Sequence, residues 1–268
     1  MSMKKMTVRD VLAKKREKQK ISALSTYDFA FGKLVDESGI DIILVGDSVG
    51  MVSLGYASTV PVTMRDMLHH TKAVSRAVKS ALIVGDMPFG SYQGSKERAV
   101  RNAKRFIQEA GADAVKVEGG FKIREQVKAV LNSGIPVMGH LGMTPQSVTQ
   151  LGGYKVQGRT PKEAQQILKD ALLLEELGVF SIVLECVPLK LAKQIARKLL
   201  VPVIGIGAGP DVDGQILVLH DLLGFESGVH PKFVRRYTNF DQIARTAIRE
   251  FKQDVEEGNF PSLEESFS

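Results

Sequence analysis

Short, strongly apolar runs alternate with amphipathic stretches along most of this chain. The runs are rich in β-branched residues and bounded by Gly, Pro or an acidic residue, which is typical of buried parallel strands. Between them, apolar residues recur at helical spacing, and pairs such as Thr63 with Asp66 or Thr160-Pro161 with Glu163 mark predicted helix starts. The predicted strands are 21–27, 41–46, 81–86, 113–118, 136–140, 179–185 and 201–206, with a short eighth strand near 218–223.

The alternation of strands and helices predicts the fold class. It continues without a linker or a low-complexity break, and right-handed crossover units of this kind close naturally into a barrel. We therefore predict an α/β fold, a (β/α)8 TIM barrel preceded by an N-terminal helix that begins after Thr7, with residues 1–268 forming one domain. A doubly wound open sheet is the alternative. The acidic tail 251–268 is predicted to be a surface helix and a loose end.

Composition narrows the class of protein. The chain has 268 residues, of which 44% are hydrophobic and 25% charged, as in ordinary soluble globular proteins. Cys186 is the only cysteine, so no disulfide can form within the chain, and the basic start 1–5 lacks the apolar stretch of a secretory signal after it. No apolar run reaches the roughly 18 residues that a membrane span needs. We expect a cytoplasmic protein with no membrane partner.

The net charge of +6 does not change the expected class of protein. Much of the excess lies in the run 14–20 and at Arg235-Arg236, and such runs are usually solvated surface. Tryptophan is absent, and no aromatic residues are interleaved with the basic ones, so we expect no nucleic-acid partner. Two alternatives come from other functional classes of protein. One is a basic binding module for nucleic acid or anionic membranes, and the other is an inactive barrel that serves as a scaffold. A moderate positive field would also attract an anionic substrate.

Acidic residues stand at the ends of several predicted strands. Asp47, Asp86, Glu118 and Glu185 each close or directly follow one of the apolar runs. In α/β barrels the carboxyl ends of the strands carry the active site. Because Mg²⁺ often takes one or two carboxylates, with water and substrate oxygens completing its shell, Asp47 and Asp86 could hold it together. Each could instead cap the following helix. The pattern indicates a metal-dependent enzyme that acts on a small anion.

Three of the polar strand-end residues suggest further chemistry. Lys116 and Glu118 are two apart in a strand, so their side chains share a face, and each needs a partner if it is buried. One interpretation is a structural ion pair between them. The other is that Lys116 binds a substrate carboxylate and Glu118 belongs to a metal site. Glu185 follows an apolar run that would raise its pKa and suit it as a general base, although helix capping or ion pairing is the alternative.

His140 and a glycine-rich segment complete the candidates. His140 ends the fifth predicted strand and is either a pocket residue or a hydrogen-bonded core residue. The segment 205–210 is not a dinucleotide fingerprint, because Pro210 stands where the last glycine is required. After a seventh barrel strand, such a loop offers backbone N–H groups to an anion or a ring. Cys186 is expected to be a small buried residue without thiol chemistry.

Six segments, taken together, resemble the ketopantoate hydroxymethyltransferase family. They occur in order between about Thr26 and Gly224. They are GDSVGM at 46–51, GDMPFGSY at 85–92, VKVEGG at 115–120, GHLGMTPQ at 139–146, LECVP at 184–188 and GIGAGP at 205–210. The resemblance implies the same fold that the strand pattern predicts.

The resemblance also implies how the polar residues are used. Asp47 and Asp86 would hold Mg²⁺ directly, and Glu118 would belong to the metal site through a water molecule. Ser48 and Lys116 would bind the 2-oxo acid substrate, with Asp47 and Asp86 close to it. The substrate would be 3-methyl-2-oxobutanoate.

The implied reaction needs a base and a one-carbon donor. Glu185 would accept the proton from C3, and His140 would line the pocket. The donor would be 5,10-methylenetetrahydrofolate and the product 2-dehydropantoate, on the route to pantothenate. Family members form homo-oligomers, homodecamers of two pentameric rings. The nearest rival is a barrel lyase of the phosphoenolpyruvate mutase and isocitrate lyase type, which needs no folate and carries a catalytic cysteine in a mobile loop.

Overall fold

The computed structural model describes residues 4–225 and 231–267, and its strands form a closed parallel barrel. Each strand pairs with its neighbour in sequence, and the last strand pairs with the first, Ile21 opposite Gly214. The strands are β1 Ile21–Ser25, β2 Ile42–Val45, β3 Leu82–Asp86, β4 Ala114–Glu118, β5 Val137–Gly142, β6 Ser181–Glu185, β7 Val203–Ile206 and β8 Gly214–Val218. The (β/α)8 prediction is confirmed, and the closed ring excludes the doubly wound open sheet.

Helices follow the strands as predicted. In the barrel unit they are α1 Val8–Arg16, α2 Phe29–Glu37, α3 Val49–Val52, α4 Met64–Ala77, α5 Lys96–Gln108, α6 Arg124–Asn132, α7 Val148–Leu151, α8 Pro161–Leu177 and α9 Leu189–Lys198. The predicted starts of α4 and α8 are confirmed, because Thr63 and Thr160 both form capping boxes with the acidic residue three positions on. None of the described helices is long and apolar enough to cross a membrane.

The barrel interior changes from apolar to charged along the strands. Val84, Ala114, Met138 and Val183 belong to one buried cluster inside the barrel. Because side chains two apart in a strand share a face, the next inward residues toward the carboxyl ends lie directly above this cluster. Those residues are Asp86, Lys116, His140 and Glu185. The core therefore forms an apolar floor beneath a layer of ionisable side chains.

Helix α1 covers the amino end of the barrel. Val11 is fully buried in the same cluster as Ile21. Lys14 pairs with Asp41 at 2.5 Å, and the Lys15 ammonium lies 2.8 Å from Asp213 and 2.8 Å from the carbonyl oxygen of residue 201. The prediction of solvated surface was wrong for these two lysines, because the strand starts offer carboxylates and carbonyls that α1 reaches only once the barrel is closed.

The eighth strand lies earlier than predicted. It runs over Gly214–Val218, and the predicted strand region 218–223 is mostly the helix α10, Leu219–Leu223. The apolar run from Ile216 onward fits either element by pattern alone. A Cβ at Gly214, the first residue of β8, would lie only 2.4 Å from the carbonyl oxygen of Ile21 on β1, so the pairing of these two strands requires a glycine at this position. This constraint comes from the neighbouring strand and is invisible in the local sequence.

The chain divides into two compact units, Met1–Val218 with the whole barrel and Leu219–Ser268. The second unit contains α10 and α11, Phe240–Glu257, so its long helix begins well before the predicted tail at residue 251. Within this unit the ring of Phe225 lies 4.9 Å from that of Phe240. The single domain 1–268 stays a prediction, and residues 1–3 of the basic start lie outside the described residues.

A buried carboxylate of α2 supports the start of β3. Asp36 accepts the backbone N–H groups of Lys79 at 2.8 Å and Ala81 at 2.7 Å, and both the N–H and the hydroxyl of Ser80. Burial alone would raise the pKa of Asp36, but these hydrogen bonds outweigh burial and lower it. The contribution to stability is therefore complete above the unfolded pKa of about 3.9 and is lost as pH falls through the folded pKa.

Asp36→Asn is expected to lower the free energy of unfolding at pH 7 by about 2–3 kcal/mol, since hydrogen bonds to a buried charge are lost. Urea unfolding at pH 7 and near pH 3 measures it, and the difference from the parent protein should shrink at the lower pH. The matched control is Asp211→Asn, whose partner Lys193 forms a surface pair at 3.0 Å, with an expected change within about 0.5 kcal/mol. Equal effects of the two variants would contradict this account.

Candidate active site

The carboxyl ends of β3, β4 and β5 bring a chain of charged side chains together. The Lys116 ammonium lies 2.8 Å from both carboxylate oxygens of Asp86 and 3.4 Å from Glu118. All three side chains are buried. Burial alone would lower the pKa of Lys116, but the charges of Asp86 and Glu118 outweigh burial and raise it. Lys116 is therefore a permanent buried cation.

His140 connects this group to Glu185. Its Nδ1 lies 3.2 Å from the carboxylate of Glu118 and its Nε2 lies 3.3 Å from that of Glu185. Neither nitrogen has a hydrogen-bond partner of standard geometry, so these contacts are electrostatic. Burial and Lys116 lower the pKa of His140, but the two carboxylates outweigh them and raise it to about 9. At neutral pH a charged imidazolium thus bridges the buried Glu118 and the partly exposed Glu185, whose side chain is 16% accessible.

Asp47 and Ser48 lie at the end of β2, beside this group. The backbone N–H of Asp47 donates to the carboxylate of Asp86 at 3.2 Å. The Ser48 hydroxyl makes no capping bond to the following helix and instead lies 2.8 Å from the Tyr27 hydroxyl. The structure therefore brings together all the residues predicted from sequence: Asp47, Ser48, Asp86, Lys116, Glu118, His140 and Glu185. The helix-capping alternative does not apply to Asp86, whose carboxylate oxygens are both held by Lys116.

The cluster has an excess of negative charge near Asp47. Burial, and then the charges of Asp86 and Glu118, raise the pKa of Asp47 well above its usual range. Burial also raises the pKa of Asp86, in spite of Lys116. The raised pKa values mean that ionising both Asp47 and Asp86 is unfavourable here, and a further cation nearby would stabilise their charged forms. The electrostatics thus fit a bound divalent ion beside Asp47 and Asp86.

The number of donors limits what kind of ion would fit. Among the described residues, no group of three or more His, Cys, Asp or Glu side chains is placed to surround a metal ion. A metal that requires an all-protein cage is therefore a poor match. Mg²⁺ is a good match, because it binds through one or two carboxylates and keeps several waters. By the family resemblance, Asp47 and Asp86 would supply these carboxylates, and Glu118 would act through water.

Gln146 is a buried residue that the sequence reasoning did not single out. Its amide nitrogen donates to Asp47 and to the carbonyl of Met87, both at 2.9 Å. Its amide oxygen accepts from the Tyr92 hydroxyl at 2.9 Å, and its backbone N–H donates to Glu118 at 3.0 Å. It holds two of the predicted metal-associated acids at once. The only signal in the sequence was its place in the segment 139–146, since an uncharged amide does not stand out in a pattern of charges.

The backbone around Glu185 is tightly constrained. Cys186 has φ +47°, in the left-handed region that non-glycine residues rarely adopt. Gly142 at the end of β5 has φ +93°, and a Cβ there would lie 2.3 Å from the carbonyl oxygen of Glu185. This close approach holds the ends of β5 and β6 together and fixes the base of the Glu185 side chain. Burial, and then the charge of Glu185, raise the pKa of the Cys186 thiol to about 11, so it is a poor nucleophile.

The glycine-rich segment 205–210 forms a tight turn after β7. Gly207 and Gly209 both have positive φ, at +63° and +86°. A Cβ at Gly209 would lie 2.8 Å from Leu189, so the turn packs closely against the start of α9. An anion or a ring at its N–H groups stays a prediction.

Solved structures show the same fold. A phosphonopyruvate hydrolase, in a complex with oxalate and Mg²⁺, aligns with 97% of this chain and 93% of its own at a TM-score of 0.62 and 16% identity. A 2,3-dimethylmalate lyase of the PEP mutase/isocitrate lyase superfamily aligns with 97% of this chain and 91% of its own at 0.60 and 15%. At these identities the likeness establishes the barrel and does not extend to the rival activity.

Sequence relatives are far closer. The 3-methyl-2-oxobutanoate hydroxymethyltransferase of Thermoanaerobacter sp. (strain X514) is 57% identical over 254 residues, which is 95% of this chain and 93% of the relative. The sequence profile of ketopantoate hydroxymethyltransferase matches residues 5–263. Both cover the barrel with every charged residue of the cluster. The chain belongs to the ketopantoate hydroxymethyltransferase family.

Proposed function

We propose that this protein transfers a hydroxymethyl group from 5,10-methylenetetrahydrofolate to C3 of 3-methyl-2-oxobutanoate, with Mg²⁺ bound. The observation that carries the proposal is the single buried cluster in which Asp47, Asp86 and Lys116 adjoin the His140–Glu185 pair. Family membership supplies the substrate and the donor. In the net reaction C3 loses a proton and gains the methylene carbon. One water supplies the hydroxyl, and both nitrogens of the donor regain N–H.

Asp47 and Asp86 would hold Mg²⁺, with Glu118 acting through water. When bound, the ion would supply Lewis-acid stabilisation of the negative charge that develops on the keto oxygen. Gln146 keeps the carboxylates of Asp47 and Glu118 in place through its amide and backbone N–H. A preorganised set of this kind needs no rearrangement as charge develops.

Lys116 and Ser48 would bind the 2-oxo acid. The buried ammonium attracts the substrate carboxylate and the developing enolate, and this attraction is strong because the site is buried. The Ser48 hydroxyl, oriented by Tyr27 at 2.8 Å, can donate to a substrate oxygen. Together they orient the small anion so that its C3 side faces Glu185.

Glu185 would take the C3 proton onto its carboxylate. The His140 imidazolium, 3.3 Å from that carboxylate, holds it in position. The partial exposure of Glu185 suits a base that must reach the substrate from the open side of the cluster. The resulting carbanion at C3 then bonds to the methylene carbon of the donor as one C–N bond of that carbon breaks, and water replaces the second nitrogen to leave the hydroxymethyl group. A cytoplasmic location, a homodecameric assembly and the absence of nucleic-acid partners remain predictions from composition and family resemblance.

Proton–deuterium exchange at C3 tests the first half of this reaction without folate. NMR in D₂O should show exchange of 3-methyl-2-oxobutanoate that depends on both protein and Mg²⁺. Exchange that is unchanged by chelation would remove the metal from this step. A folded protein that gives no exchange, even with the folate donor added, would contradict the proposed function.

A further inference from the structure

Large apolar side chains are exposed around the carboxyl end of the barrel. They stand on the segments that follow β2 through β6, above the charged cluster. They are Met51, Leu54, Tyr56, Phe89, Phe121, Tyr154, Val156 and Leu189. Scattered exposed apolar residues are normal on a soluble protein. Their concentration at the mouth of a charged site instead indicates a surface for an apolar part of a ligand or partner.

Two of these residues meet across the mouth. The Tyr154 hydroxyl lies 3.5 Å from the sulfur of Met51. Met51 belongs to the segment after β2 and Tyr154 to the segment after β5, and β3 and β4 lie between these strands in the barrel. The contact therefore spans the opening rather than joining neighbouring loops. Both side chains remain open to solvent, at 40% for Met51 and 54% for Tyr154.

The pair lies close to the predicted reacting atoms. Met51 follows Ser48 by one helical turn, and its N–H donates to the Ser48 carbonyl at 3.0 Å. Tyr154 lies three residues before Gln157, whose backbone N–H donates to the carbonyl of Cys186, the residue after Glu185, at 2.9 Å. Burial, and then the charges of Glu185 and Asp47, also raise the pKa of the Tyr154 hydroxyl. Met51 and Tyr154 thus form an apolar surface that adjoins both the proposed substrate-binding residue and the proposed base.

The proposed reaction needs such a surface. A small 2-oxo acid can be held by the charged cluster, but the donor is large, with a flat pyrimidinone ring and an aryl ring. It must approach from the open side and bring its methylene carbon to about 3–3.5 Å from C3. Flat rings gain affinity by stacking on tyrosine and by contact with a thioether sulfur.

We propose that Met51 and Tyr154 form the subsite for the ring system of the folate donor and direct its methylene group toward C3 beside Glu185. This inference rests on the proposed function and extends it to the second substrate. It assigns the segment 152–158 a role in donor binding rather than in proton removal. A second copy of the chain, or the methyl groups of the 2-oxo acid, would be the competing occupants of the same surface.

Two assays on Tyr154→Ala and Met51→Ala separate donor binding from proton removal. Folate-free C3 exchange should stay within about two-fold of the parent. In the complete reaction, the KM for 5,10-methylenetetrahydrofolate should rise about ten-fold, as expected when a stacking partner of a heteroaromatic ring is lost. Calorimetry with tetrahydrofolate, under anaerobic conditions, should show a matching loss of affinity.

Two further variants serve as controls. Tyr154→Phe keeps the ring and should retain most of the donor affinity. Leu34→Ala removes a side chain on α2 that is 58% exposed and lies outside this surface, and it should leave the donor KM unchanged.

The outcomes distinguish the occupants. A fall in exchange equal to the fall in transfer would assign the surface to the 2-oxo acid and overturn the proposal. So would an unchanged donor KM in both alanine variants, or a variant-dependent loss of assembly in size-exclusion chromatography that accounts for the whole defect. Failure of the proposed function is recognised separately, because the parent protein would then give neither exchange nor transfer.

Discussion

Glu185→Gln is expected to abolish most C3 exchange while leaving the 2-oxo acid bound. Glutamine keeps the size of the side chain and its contact with His140 but cannot accept a proton at C3. Loss of a general base costs about 10²–10⁴-fold in rate. We expect a loss in this range for folate-free exchange by NMR, with the Kd for 3-methyl-2-oxobutanoate, from calorimetry, within about three-fold of the parent.

The surface variant Glu176→Gln is the matched control, since Glu176 lies exposed on α8. It should exchange C3 at the parental rate. Exchange at the parental rate in Glu185→Gln as well would remove Glu185 from the role of base. A loss of binding in parallel with a loss of exchange would instead make Glu185 a substrate-binding residue.

Asp86→Asn is expected to raise the Mg²⁺ requirement by about 100-fold or more. The variant removes one of the two carboxylates proposed to hold the ion, and Lys116 loses a charged partner at 2.8 Å. Breaking a buried ion pair is also destabilising, by about 3–5 kcal/mol. The Mg²⁺ concentration for half-maximal exchange reports the metal requirement, and the Tm measured without Mg²⁺ reports the loss of stability.

Gln146→Ala provides the comparison for this metal variant. It keeps every carboxylate but removes the hydrogen bond at 2.9 Å that orients Asp47. Residues that orient metal ligands typically contribute 10–100-fold in affinity, so its Mg²⁺ requirement should lie between those of the parent and Asp86→Asn. A Mg²⁺ requirement unaltered in Asp86→Asn, with the protein folded, would place the metal elsewhere.

Several helix starts and most strands could be predicted from the sequence, because they depend on residues close together in the chain. The capping boxes at Thr63 and Thr160 are formed by residues three apart, so their partners are already present in the sequence. The short β-branched runs predicted seven of the strands because burial on both faces selects apolar residues at every position. The regular alternation favoured a closed barrel over a doubly wound open sheet, and the pairing of β8 with β1 decided between them.

Contacts between distant segments could not be predicted from local sequence patterns. The pairing of β8 with β1 depends on the approach of Gly214 to Ile21, and the structural role of Lys15 depends on Asp213. In both cases the partner is almost two hundred residues away, and no local pattern marks it. The close packing of Gly142 on β5 against the carbonyl of Glu185, directly before the left-handed Cys186, is another example.

The sequence by itself determined which side chains carry charge at the strand ends, and its six segments identified the family. Only the tertiary structure decided how the charges are shared: Lys116 between Asp86 and Glu118, His140 between Glu118 and Glu185, and Gln146 on Asp47. The physical reason is that a pKa or a hydrogen bond depends on distances of a few ångströms between groups from different strands. Those distances are set by the closure and register of the barrel, which no single segment specifies.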